Sequence, residues 1–183
     1  TDTGKRPELA KLGPFRWHPY EAPGFQLETE NRETVSQGEF RGKPMLVVFY
    51  LGAGCSHCIE QLNALAPIAG GFTKAGIEIL AVSTDTADGI KKTFEKSKDG
   101  KGYPFRIVSD HSLQTFRSFR SFDDFESIPL HGTFLIDGHG LVRWQNISYQ
   151  PFKDMNWLLE ESTRLLGLPG QFPAPATVSR STP

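Results

Sequence analysis

Seven consecutive apolar or aromatic residues, Met45 to Leu51, end at Gly52-Ala53-Gly54, and helical spacing takes over at once in Ile59, Leu62, Leu65, Ala66 and Phe72. An unbroken apolar run of this kind reads as a strand buried on both faces, and a helix straight after it as the first unit of a sheet covered by helices. The switch carries both cysteines of the chain, in Cys55-Ser56-His57-Cys58. Two thiols three positions apart at a helix start can close a disulfide within one turn, and the free N–H groups and positive dipole end of the helix favour a thiolate. That is a redox site on chemical grounds alone.

The remaining elements are placed around this unit. Residues 1–21 hold several Pro and Gly residues with Phe15, Trp17 and Tyr20 between them, which predicts an irregular arm whose second half packs on the body. Phe25–Thr29 and Thr34–Ser36 form a hairpin around polar residues, and Phe40 to Pro44 a turn. The helix after Cys55 runs to about Lys74, with a kink at Pro67. Ile77–Ser83 is a second buried strand. Thr84 or Thr86 caps the next helix, which passes through Ile90 and Phe94 to a solvated basic stretch, Lys96 to Lys101. Phe105–Ser109 is a third strand, followed by a helix opened by Asp110 or Ser112 and marked by Leu113, Phe116, Phe119 and Phe122 as a core face. Thr133–Ile136, the turn Asp137-Gly138-His139-Gly140 and Leu141–Ile147 make a closing antiparallel hairpin. Pro151 fits the first turn of a last helix whose apolar face runs from Phe152 to Leu166, and residues 167–183 are a Pro-rich tail expected to be disordered. Alternating strands and helices imply an α/β domain over 22–166, with a mixed, mostly parallel sheet of about five strands, helices on both faces and an N-terminal hairpin. Ligands of such sheets bind at the carboxyl ends of strands, where Cys55 falls.

Charge and length narrow the function classes. With 20 basic and 21 acidic residues the net charge is −1, so nothing in the overall charge favours nucleic acid or an anionic membrane as a partner. No stretch is long and apolar enough to span a bilayer, and Thr1 to Lys11 has no signal-peptide core. The start at Thr1 rather than Met fits an export signal removed by processing or trimming of the sequence, and the compartment is left open, with an extracytoplasmic, bacterial periplasmic-type setting favoured over a cytoplasmic one. In the dithiol reading Cys55, first in the helix and more exposed, is the attacking thiolate, and Cys58 is the resolving thiol. His57, between them, favours the thiolate and therefore the reduced state. This predicts a potential above thioredoxin's roughly −270 mV.

The order of elements, the run Leu46-Val47-Val48-Phe49-Tyr50-Leu51 leading to Cys55-x-x-Cys58, and Gly132-Thr133-Phe134-Leu135-Ile136-Asp137 resemble the thioredoxin superfamily. Ala22-Pro23-Gly24-Phe25, followed by Gly42-Lys43-Pro44 and the buried strand, is similar to its alkyl hydroperoxide reductase and thiol-specific antioxidant branch, the peroxiredoxin-like redoxins. The resemblance implies a thioredoxin-like fold and adds a peroxidase reading, in which Cys58 attacks peroxide and Cys55 resolves the sulfenic acid. It also exposes departures. Where the family carries Pro-x-x-x-Thr-x-x-Cys, this chain has Leu51, Cys55 and Cys58, and where peroxiredoxins carry an arginine before the Phe-Leu-Ile-Asp strand it has His131. Thioredoxin-like dithiol proteins often place a cis-proline there; here Pro129 lies two residues earlier.

The candidate catalytic residues are therefore Cys55, Cys58, His57 and His131, with a redox-active disulfide and no metal or organic cofactor. The partner is a protein or small-molecule thiol or disulfide, or a peroxide, and the electron donor is open. Zinc is an alternative, since Cys-x-x-Cys is half of many zinc sites and His131, His111 or His139 could add ligands, but a second close-spaced ligand pair is absent. A purely structural disulfide would constrain so short a loop little. A redoxin-fold binding module, using the aromatic arm and the Phe/Arg helix, is the reading from a different class.

Overall fold

The computed structural model describes residues 18–167; the expected arm up to residue 17 and the tail over 168–183 lie outside the described residues. At the centre stands β4 (Met45–Tyr50), buried along its whole length. It pairs in parallel with β5 (Glu78–Ser83), which pairs in parallel with β6 (Arg106–Ser109). On its other side it pairs antiparallel with β9 (His131–Ile136), and β9 with β10 (Leu141–Ser148). Short strands complete the edges: β1 (Tyr20–Glu21) on β10, and β2 (Gln26–Glu28) with β3 (Thr34–Ser36) on β6, giving the order β1-β10-β9-β4-β5-β6-β2-β3. A separate ribbon joins β7 (Phe122–Asp123) to β8 (Ile128–Pro129).

Strand periodicity of two sorts β4 between two cores. Leu46, Val48 and Tyr50 meet Cys58, Leu62 and Leu65 of α1 (Ser56–Leu65), Phe72 of α2 (Ala69–Lys74), Ile90 of α3 (Ala87–Glu95), and Met155 and Leu158 of α5 (Met155–Gly167). Met45, Val47 and Phe49 face Phe25, Leu27, Val35 and Phe40, with Phe116 of α4 (Gln114–Ser118), Phe119 and Phe134. Phe49 is the hub of the second core, edge-on to Phe116 and Phe134 with centroids at 4.9 and 5.6 Å. Pro67 divides the long helix as expected: a 3-10 turn, Ala66–Ile68, separates α1 from α2. Gly71 lies where α5 crosses α2, and a Cβ there would push the Leu159 side chain aside. Thr86, of the two candidates, caps α3, its Oγ1 accepting from Gly89 N–H at 3.1 Å.

The α/β thioredoxin-like class stands, with corrections inside it. Among the described residues the sheet has eight strands rather than about five, and only β4–β5 and β5–β6 are parallel, so it is mixed without being mostly parallel. Strands of two or three residues are too short to show a period, and an apolar run marks burial without giving direction. Tyr20 and Glu21, expected in the arm, belong to the sheet. The Phe-marked helix shrinks to α4, bounded by left-handed backbone at Leu113 (φ 60) and Arg120 (φ 59); its Phe residues still fill the core. The last helix begins at Met155 instead of near Pro151, because Asp154 Oδ1 accepts from Trp157 N–H at 3.0 Å and so supplies the cap. Among the described residues no helix is long and apolar enough to cross a membrane.

Truncating the hub side chain, Phe49→Ala, should cost about 3–5 kcal/mol in urea unfolding. Phe125→Ala, at a position 93% exposed, should change stability by no more than about 0.5 kcal/mol.

Candidate active site

At the carboxyl end of β4 the chain turns at Gly52, whose φ of 86° lies in the left-handed region and where a Cβ would strike the Asp85 carboxylate. Side chains hold both polar groups of Ala53. Its N–H donates to Asp85 Oδ2 at 2.7 Å, and its carbonyl accepts from Lys96 Nζ at 2.6 Å. This clamp delivers Cys55, in extended conformation, to the N-cap of α1, a position usually filled by Ser, Thr, Asp or Asn. Its Sγ accepts from Cys58 N–H at 3.3 Å.

Cys55 and Cys58 are disulfide-bonded, with Cα atoms 5.3 Å apart. The two sulfurs differ in surroundings. Cys58 is wholly buried in the core between β4 and α1, while Cys55 is half-buried at its edge. Leu51 N–H donates to Cys58 Sγ at 3.3 Å, and His131 Nε2 lies 3.1 Å from the same sulfur and 3.7 Å from Cys55 Sγ. His131 reaches them because it opens β9, one residue beyond the Phe49–Gly132 pairing. It is 5% exposed, and burial pushes its pKa below the ordinary value; the backbone at Ser148 and Tyr149 partly opposes this, and the charge of His57 adds slightly to it. Its Nδ1 makes no hydrogen bond of normal geometry. With the ring proton on Nδ1, toward the β10 backbone, the Nε2 lone pair faces the sulfurs and can take the proton of a Cys58 thiol.

Three of the four predicted site residues therefore meet: Cys55, Cys58 and His131. His57 is directed elsewhere, its Nδ1 3.5 Å from Glu60 Oε2 on the exposed side of α1. Pro129 sits in β8 opposite Phe122, and all peptide bonds among the described residues are trans, so His131 alone occupies the place opposite the cysteines. Asp85, Lys96 and the Leu51 N–H escaped the sequence reading. Asp85 had a usable signal, since it follows the carboxyl end of the strand beside β4. Lys96 had none, standing in a run that reads as solvated surface. The cleft lined by Met45, Asp137 and Gly138 lies at the opposite end of β4, away from this chemistry.

Residues 20–145 match the AhpC/TSA family. The chain belongs to it. Peroxiredoxin Q of Oryza sativa subsp. japonica, a chloroplastic protein, is 30% identical over 141 residues, covering 76% of this chain and 63% of its own length. The chloroplastic peroxiredoxin Q of Sedum lineare is 30% identical over 146 residues, covering 79% and 74%. AhpC of Enterococcus faecalis shares the fold with a TM-score of 0.70 at 15% identity, over 80% of this chain and 90% of that one. The chain thus spans about 63% of the length of the first of these relatives. Their chloroplastic names overturn the expectation of a periplasmic-type setting; two cysteines forming one local couple do not indicate a compartment.

The buried His131 should make the disulfide form of this AhpC/TSA protein sensitive to acid. A lowered folded pKa means that the unfolded chain binds more protons below about pH 6.5, so stability is full above that pH and declines as pH falls toward the folded value. Urea midpoints of the oxidised protein should drop between pH 7.5 and 5.5, and His131→Gln should show a smaller drop. Equal drops would remove His131 as the source.

Proposed function

We propose that this chain is a thiol-dependent oxidoreductase working through the Cys55–Cys58 couple, with Cys55 the sulfur that exchanges with a partner and Cys58 the sulfur that leaves and returns. The observation that carries this reading is the asymmetry of the pair: Cys55 is half-buried, whereas Cys58 is buried and held by the Leu51 N–H and His131. A partner thiolate attacks Cys55 Sγ, the S–S bond breaks, and the electron pair leaves on Cys58, where the Leu51 N–H donates to the sulfur and the His131 ring can face the charge once Nε2 is protonated. A second thiol then attacks the partner's sulfur in the mixed disulfide, releasing the partner as a disulfide and Cys55 as a thiolate. Run backwards, the same steps oxidise the pair. The disulfide is itself the redox group, so these steps draw on no metal or organic cofactor. The partner class is a protein or small-molecule thiol or disulfide.

A second reading has its own support. The chain belongs to the AhpC/TSA family, and relatives named peroxiredoxin Q match it over three-quarters of its length. In this reading the Cys58 thiolate attacks a peroxide oxygen, the O–O bond breaks with release of water or an alcohol, and Cys58 becomes a sulfenic acid. Cys55 then attacks that sulfur and expels water, forming the disulfide. The two readings share reductive attack at Cys55 and differ in which sulfur meets the oxidant. Complete burial of Cys58 suits a peroxide better than a bulky disulfide.

Cysteine variants separate them. Cys58→Ser should accumulate mixed disulfides through its remaining Cys55, and Cys55→Ser should not; the reverse pattern would overturn the assignment of Cys55. Peroxide consumption lost in Cys58→Ser but partly kept in Cys55→Ser with external thiol would favour the peroxidase reading. Stabilisation of the Cys58 thiolate should also place the potential above roughly −270 mV against glutathione, thioredoxin's value, and His131→Ala should make it more negative.

A further inference from the structure

Cys55 Sγ, Cys58 Sγ and His131 Nε2 all lie within 4.8 Å of one another. We propose that, once the pair is reduced, these three atoms bind one thiophilic divalent cation such as Zn2+, and that the cation and the disulfide exclude each other. The inference rests on the pair being reducible, as the proposed function does, but not on which partner it serves.

Three observations support it. The first is spacing. Zn–S bonds near 2.3 Å and Zn–N bonds near 2.0–2.1 Å in a tetrahedron put sulfur and nitrogen about 3.5 Å apart. The two sulfur-to-Nε2 distances here are 3.7 and 3.1 Å, so His131 already stands at a ligand's distance from both sulfurs. Reduction lets the sulfurs separate toward the roughly 3.8 Å of a shared tetrahedral ion, by rotation of the half-buried Cys55. The second is the surroundings of the sulfurs. Each already accepts one backbone N–H, Cys55 from Cys58 and Cys58 from Leu51, the kind of outer contact that supports a metal-bound thiolate. The third is the imidazole. His131 is 95% buried on a sheet strand, with Nε2 aimed at the sulfurs.

Two thiolates and one imidazole form a three-ligand set with a fourth position open to water or a solute on the Cys55 side. Binding replaces the protons of the two thiols, which pass to solvent, with the cation. With both thiolates held, neither can attack a disulfide or a peroxide. Oxidation to the disulfide removes two of the three ligands and expels the ion. The cation would therefore hold the pair reduced and idle until it is withdrawn.

The test uses chemically reduced protein freed of reductant under exclusion of air, with thiols counted by Ellman reagent, then titrated with Co2+ and with Zn2+ against a chromophoric chelator. One equivalent should bind, with thiolate-to-cobalt charge-transfer and tetrahedral absorption bands, and the disulfide form should bind none. His131→Gln, with circular dichroism and thiol count unchanged, should weaken binding at least about tenfold, the lower end of what removing even an outer partner costs. His131→Cys, which restores a third ligand, should recover it. Bound Zn2+ should slow oxidation of the thiols by diamide. Two free thiols without uptake of metal, or His131→Gln binding as tightly as wild type, would overturn the inference and leave the redox reading intact. Failure to obtain two free thiols under mild reductants would sink both.

Discussion

The burial of β4 is the constraint on which the rest of the molecule depends. With β9 on one side, β5 on the other and helices or aromatic residues over both faces, this strand has no solvent-facing residue and no freedom of register. A slip by one position would exchange Leu46, Val48 and Tyr50 for Met45, Val47 and Phe49 across two differently shaped cores. Register in turn decides where the strand stops, and it stops where α1 must begin. The start of α1 is pinned from below by Cys58 in the core and from above by the Asp85 and Lys96 contacts on Ala53.

The asymmetry of the two sulfurs follows from that arrangement. A helix whose third residue already enters the core puts its N-cap side chain toward the surface and the residue three positions on beneath it. Cys55 and Cys58 take those places. The antiparallel pairing of β9 with β4 adds the third member, since it brings the first residue of β9 to the end of β4. The imidazole in that position is buried, which disfavours its charged form, and its Nε2 faces both sulfurs. The site is thus a consequence of strand order and register, and the chemistry proposed for it rests on three side chains and a backbone N–H.

Much of this was legible in the sequence, and the limits have physical causes. β4, β5, the β2–β3 hairpin and a cap at Thr84 or Thr86 show themselves through local patterns, namely an apolar run, turn residues and a capping hydroxyl, which need no knowledge of distant contacts. The break at Pro67 is equally local. The early end of α4 was not readable, because Leu113 and Arg120 adopt left-handed backbone that neither residue type advertises. Within the site the two cysteines are near neighbours in sequence, while His131 meets them across 73 and 76 positions. Its match to the arginine position of peroxiredoxins, and its place among the histidines that could complete a zinc site, drew attention to it. His57 attracted notice by lying between the cysteines, yet a helix turns adjacent residues onto different faces, and its ring pairs with Glu60. Lys96 stands in a basic run, and its reach to Ala53 depends on the packing of α3 beside the loop.

Differential alkylation tests the central claim, that the pair presents Cys55 outward and keeps Cys58 in reserve, most directly. Reduced protein treated with limiting iodoacetamide at neutral pH, digested and mapped by mass spectrometry, should carry the first label on Cys55, with Cys58 labelled only after unfolding. First labelling at Cys58, or equal labelling of both before unfolding, would contradict the account.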